Sequence, residues 1–305
     1  MSISAPSRFS AEGTNTGDFD RGDWGLLLLT SLIWGSSFLW IAIGLDAFHP
    51  GVIACGRMIF GAAVLWCFEA ARQPVPRSAW PAIAVVAIAG NTFPAVFFPL
   101  AQQRVESSVA GMLNSVGPIL TLVISIFMLR KAPPRAQVLG LAIGMVGALL
   151  LGVANLSGAD AQPLGLFFVV LAVTGYSISN NFLPRLAQAF GGPAVIARAM
   201  TASALLLAPW GIYATGESSF AWDSFGALLI LGVLGTGLAR TIFAILNGRI
   251  GAPRSSLVGY LVPVVAILLG VVVRGESVGA IELIGTGLIL VGAALISRAN
   301  RIAAD

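Results

Sequence analysis

Residues 24–44 read Trp-Gly-Leu-Leu-Leu-Leu-Thr-Ser-Leu-Ile-Trp-Gly-Ser-Ser-Phe-Leu-Trp-Ile-Ala-Ile-Gly, without one charged side chain. About 20 mainly apolar residues are what an α-helix needs to cross the hydrocarbon core of a bilayer. Lipid offers no partner to backbone N–H and C=O groups, so a spanning segment must be a helix or part of a closed barrel. A barrel would show short alternating segments instead of this long run. Four windows of the same kind follow at 51–70, 80–101, 108–129 and 136–154, and five more at 164–183, 193–213, 225–246, 256–273 and 280–297. The sequence therefore predicts an all-α membrane protein of ten transmembrane helices.

Composition points the same way. Of 305 residues, 57% are hydrophobic and 10% charged, whereas a soluble domain carries roughly a quarter charged residues. There is too little polar surface to solvate a globule, so lipid must cover the rest. The net charge of +4 would suggest nucleic acid in a soluble protein. Here basic residues are expected to hold loops in the cytoplasm, and no nucleic-acid partner is expected. Residues 1–23 are polar and lack the apolar stretch of a signal peptide, so they read as a disordered cytoplasmic tail.

With the N-terminus inside, most basic residues fall in cytoplasmic segments, among them Arg72, Arg77, Arg130, Lys131, Arg185 and Arg249, and only Arg104 and Arg274 lie in outside loops. The asymmetry predicts an even number of spans in the inner membrane, with both termini cytoplasmic.

The two halves repeat. A shift of 145 residues brings Gly90 onto Gly235, Phe98 onto Phe243, Arg104 onto Arg249, Pro118 onto Pro263, Gly140 onto Gly285 and Gly147 onto Gly292. Earlier in each half a shift of 141 pairs Arg57 with Arg198 and Leu65 with Leu206. Each repeat, 24–154 and 164–297, holds five spans. Five is odd, so the second copy is expected to run through the membrane upside down, as in secondary transporters that hold their solute between inverted halves.

Several motifs then carry a family likeness. Trp34-Gly35-Ser36-Ser37-Phe38, Arg57 following Pro50, Pro118, the basic loop Arg130-Lys131 and the glycines Gly140, Gly144 and Gly147 resemble the drug/metabolite transporter superfamily, in its EamA-like ten-helix form. The likeness covers roughly Trp24 to Ser297. It departs where the family often has Glu-Arg after the fourth span and this chain has Arg130-Lys131. The resemblance implies transport, usually export, of a small metabolite.

Candidate solute-binding residues are the polar and aromatic side chains that lipid would reject. Arg57, Arg198 and Arg240 lie within spans, where a charge must face a cavity or a partner; snorkelling or carbonyl capping is the structural alternative. Trp34 and Phe38 share one helix face at mid-span, too deep for an interfacial anchor, and form a cavity wall or plain packing. Asn91 and Asn114 need partners in hydrocarbon, as do Tyr176 and Tyr260. Asn180 and Asn181 are expected nearer the cytoplasmic end of the sixth span. Pro118 and Pro263 predict matched kinks in the fourth and ninth spans. Gly140 and Gly144 predict close packing of the fifth span, better supported than that of the tenth, where Ile289 replaces the second glycine.

Absences narrow the function. No acid sits at mid-span, so proton exchange against a lipophilic cation lacks its shared carboxylate. A neutral, zwitterionic or anionic solute, such as an amino acid or a similar metabolite, fits better. An intramembrane enzyme would want a buried catalytic set, yet His49 and Lys131, the one His and the one Lys, both fall in loops. Cys55 and Cys67 lie in apolar runs, and neither metal nor cofactor is expected. A non-transporting scaffold or receptor is the alternative, and the short loops oppose it. The expected partners are a small solute and the bilayer.

Overall fold

A computed structural model describes residues 18–105, 107–129, 134–156, 162–265 and 279–297. The described residues are helical and contain no strand. In chain order the helices are α1 (Arg21–Leu45), α2 (Pro50–Trp66), α3 (Arg77–Gln102), α4 (Ser107–Leu113, a 3₁₀ turn at Asn114–Val116, then Gly117–Leu129) and α5 (Arg135–Leu156). The second half holds α6 (Pro163–Phe190), α7 (Gly192–Thr215), α8 (Trp222–Ile250), α9 (Ala252–Ser255 and then 258–265) and α10 (Ala280–Ser297). Six of these segments are long and apolar enough on their own to cross a membrane; α2, with 17 residues, is at the lower limit. The part of the ninth window beyond 265 lies outside the described residues, as do residues 1–17.

Local chemistry sets the ends. Asp20 accepts from the Asp23 N–H and Asp23 accepts in return from the Asp20 N–H, a reciprocal cap that starts α1 three residues before the apolar run. Residues 18–23, expected as tail, are therefore structured: the Phe19 ring packs edge-on against Trp24 and under the Arg254 guanidinium. His49 caps α2 through Nδ1, with Pro50 in the first turn. Gly191 and Gly251 take positive φ of 80° and 79° at the turns between α6 and α7 and between α8 and α9, where a side chain would be strained.

The sixth helix runs seven residues past its expected end at 183. Pro184, a residue that would bend or end a helix, sits inside it. A proline in a helix frees the carbonyl four residues back. That carbonyl belongs to Asn180, and the Asn247 side-chain amide of α8 donates to it at 3.2 Å. The lost bond is replaced from a neighbouring helix, so the helix continues.

Packing displays the repeat. Repeat-equivalent helices pair with each other, α2 with α7 and α5 with α10, while α1 on α8 matches α6 on α3. At the latter crossings Gly235 faces Ser37 and Gly90 faces Ser179. Both α3 and α8 widen into π-helix at equivalent places, Ile88–Thr92 and Leu231–Leu238. The α5–α10 contact is a glycine seam. A Cβ on Gly147 would lie 2.5 Å from the Gly285 carbonyl, and one on Gly292 2.5 Å from the Gly140 carbonyl. Close packing thus belongs equally to α10, because its seam uses Gly285 and Gly292, and Ile289 packs beside it. Large apolar side chains such as Leu205, Ile212 and Phe127 stay exposed on the outside, the surface that lipid covers.

Candidate functional site

One cavity lies among α1, α2, α3, α4, α6, α8 and α9 and encloses about 650 Å³ including its mouth, within the usual range for small-molecule sites. Both repeats contribute, so it sits between the halves. Trp34 and Phe38 come from α1, Arg57 from α2, Asn114 and Pro118 from α4, Tyr176 from α6 and Arg240 from α8. Six expected solute-site residues, with Pro118 beside them, are brought together from five helices spread over 206 positions of chain, Trp34 to Arg240.

The aromatic wall is continuous. Trp34 stacks on Tyr176 with ring centres 6.0 Å apart and tilts against Phe243 at 5.1 Å. Phe98 meets Phe38 edge-on at 5.2 Å and lies 6.0 Å from Tyr176. The Trp34 indole N–H donates to the Gly235 carbonyl at 3.0 Å, in the π segment of α8. A π turn leaves carbonyls without their usual helical donors, and this one orients the indole.

The cations are the unusual feature. Arg57 and Arg240 are 5% and 2% exposed. Arg57 donates through Nε to Thr236 Oγ1 at 2.9 Å, and Thr236 is itself fixed by donating to the Leu231 carbonyl at 2.8 Å. Its Nη1 is buried with no partner among the described residues. Arg240 reaches Ser179 Oγ at 3.3 Å and lies over the Tyr176 ring at 5.2 Å, while its Nε and Nη1 are buried and unpartnered. Among the described residues no carboxylate lines the cavity. Guanidinium stays protonated in proteins, so two positive charges face this space uncompensated among the described residues. Asn180 lines it too, with a buried Oδ1 that accepts from nothing.

Three expected residues lie elsewhere. Arg198 caps carbonyls, donating to Ala71, Gln73 and Ala194, and its guanidinium covers the Trp66 ring at 5.4 Å. It lies against the Ala71–Gln73 loop instead of the cavity. Tyr260 is fully buried and donates to the Leu141 carbonyl at 2.8 Å, its ring against Gly144; it fastens α9 to α5. Asn91 is buried in the π segment of α3, outside the cavity, with both side-chain polar atoms unpartnered.

Sequence reasoning passed over Phe98, Ser177, Phe243 and Ser256 as lining residues, and Thr236 as the anchor of Arg57; it weighed Ser37 as cavity lining or helix packing, and it put Asn180 nearer the cytoplasmic end of its span. One signal was available: Phe98 and Phe243 are equivalent in the repeat, and both reach the cavity.

The EamA-like transporter family matches residues 24–153 and 163–298, one stretch per repeat. The chain belongs to the EamA-like transporter family. Among similar EamA-like proteins is the uncharacterized inner membrane transporter YedA of Escherichia coli strain K12, 26% identical over 286 residues that cover 90% of each chain. A probable amino-acid metabolite efflux pump of Salmonella typhimurium is 25% identical over 89% of this chain and 93% of its own. A probable terminal-alkyne amino-acid exporter of Streptantibioticus cattleyicolor is 26% identical over 89% and 92%. A solved crystal structure superposes with a TM-score of 0.73 at 21% identity, covering 93% of this chain and 99% of that one; at that identity the likeness shows the fold. This EamA-like chain is thus a multi-pass membrane transporter.

Proposed function

We propose that the protein is a secondary transporter, and no enzyme, that exports a small metabolite across the inner membrane by alternating access between its two repeats. The solute is an amino acid or a similar neutral, zwitterionic or anionic compound. One observation carries the reading: a cavity between the halves walled by aromatics, with two buried arginines whose free N–H groups point to no protein acceptor. The names of the similar efflux pump and exporter support the direction and the solute class. Buried donors without partners cost free energy, and a solute acceptor would relieve them.

Counterflow in proteoliposomes tests this. Vesicles loaded with mixed amino acids, organic acids, sugars or nucleosides are offered labelled tracers. Saturable uptake is expected, reduced about tenfold or more in Arg57→Ala and Arg240→Ala, since each removes charge-assisted hydrogen bonds. Arg198→Ala is expected to retain uptake. Silence across the whole panel would leave the scaffold reading standing.

A further inference from the structure

We infer that the solute is a net anion, a carboxylate with an aromatic or branched body whose amino group is absent or masked, and that the membrane potential alone drives it outward. This rests on the transporter reading and adds the charge of the cargo.

The cavity's unmet valences are unequal. On the donor side stand Arg57 Nη1, Arg240 Nε and Arg240 Nη1, all cationic and all buried. On the acceptor side stands Asn180 Oδ1, a neutral dipole. The lining serine hydroxyls are already turned to backbone: Ser37 donates to the Ile33 carbonyl, Ser177 to those of Gly117 and Val173, and Ser256 to that of Pro253; the Tyr176 hydroxyl lies with Arg57. A carboxylate would be held by the guanidiniums, whose planar fork matches it. An ammonium group would meet no carboxylate among the described residues, and would sit near two like charges in a space of low dielectric. A neutral N–H, as in an acylated amine, suits Asn180 Oδ1 without that repulsion. The Trp34, Phe38, Phe98, Tyr176 and Phe243 rings take the apolar body.

The charge has a consequence for direction. A carrier that moves a monovalent anion alone moves net charge, so a cell interior held negative expels the solute. About 59 mV corresponds to tenfold in a monovalent equilibrium, so roughly 120 mV holds a hundredfold gradient with no coupling ion. No mid-span acid is then needed for proton coupling, and the absence of one fits.

The test uses the full chain in proteoliposomes with a valinomycin-clamped potassium potential, against protein-free vesicles. Three tracers share one skeleton: N-acetylphenylalanine (anion), phenylalanine (zwitterion) and phenylalanine amide (cation). The anion is expected to move at least tenfold faster than the others. Its steady-state distribution should shift about hundredfold toward the positive side at about 120 mV. Arg240→Gln should collapse the preference for the anion over the zwitterion, a ratio that a purely structural role would leave alone. Faster phenylalanine flux indifferent to potential would overturn the inference while leaving the transporter intact, as would a preference unchanged in Arg240→Gln. Transport of sugars or nucleosides alone would overturn it equally. No flux of any solute would remove the transporter reading and this inference together.

Discussion

Arg57 and Arg198 occupy equivalent positions in the repeat yet have different surroundings. Arg57 keeps one nitrogen on Thr236 and leaves Nη1 open in the cavity; Arg198 spends its donors on three backbone carbonyls near the Ala71–Gln73 loop. The difference gives a prediction for the anchor. Thr236→Val removes the acceptor of Arg57 Nε while keeping the shape of the side chain. Transport should fall severalfold to about tenfold, the scale of one hydrogen bond to a charged group, with little loss of thermal stability in detergent. A variant that melts early but transports normally once folded would return Thr236 to a structural role. Arg57→Lys should not substitute for the arginine, because an ammonium lacks the planar fork that serves Thr236 and a solute together.

At the scale of elements, proline and glycine decide where helices meet. Pro263 in α9 frees the carbonyl four residues back, that of Gly259, whereas in α4 the carbonyl four residues before Pro118, that of Asn114, accepts from the Gly117 N–H in a 3₁₀ turn. Ser115 Oγ donates to the freed Gly259 carbonyl at 3.2 Å. A Cβ on Gly259 would come within 3.3 Å of the Pro118 ring, so the equivalent prolines sit where the two helices cross beside the cavity. The sequence marked both prolines, and it could not show that the breaks meet. The α5–α10 seam gives a sharper test. Gly147→Val would drive a branched side chain into the Gly285 carbonyl and Ile289, with an overpacking cost of about 1–3 kcal/mol. A drop of several degrees in melting temperature is expected, and an unchanged value would refute the seam. Gly25→Ala, where a Cβ meets nothing within 4 Å, is the control.

At the scale of the whole molecule, one end of the structure is tied by charge. Arg249, in the last turn of α8, pairs with Asp20 and Asp23 of α1, each at 2.6 Å. The Asp23 N–H, and after it Arg249, hold the Asp20 carboxyl below its ordinary range. A carboxyl depressed in the folded state stabilises above its unfolded pKa of about 3.9 and loses that contribution as pH falls through the lower folded value. Asp20→Asn keeps a good cap and removes the charge, so it should lower the melting temperature at neutral pH. The gap from wild type should close in acid below the ordinary aspartate range. A gap that persists there would assign the effect to the cap. The bias of basic residues toward one set of loops predicts both termini in the cytoplasm, so a C-terminal green fluorescent protein should fluoresce and alkaline phosphatase placed there should stay inactive. An active phosphatase at that end would reverse the orientation.

The sequence by itself determined the helices, because a 20-residue apolar run has one stable state in lipid, and it determined the two-fold repeat, because matched glycines, prolines and arginines persist at a fixed spacing. It also singled out Trp34, Phe38, Arg57, Asn114, Tyr176 and Arg240, which line the cavity, since polar and amphipathic groups in hydrocarbon announce themselves by cost. Only the tertiary structure decided which of those costs are met by protein. Tyr260 and Arg198 find backbone carbonyls on other segments, whereas Arg57 and Arg240 keep donors open. Whether a buried donor has an acceptor depends on residues more than a hundred positions away, brought within 3 Å by helix packing. Periodicity and composition describe a helix against its solvent and carry no record of which neighbour it meets.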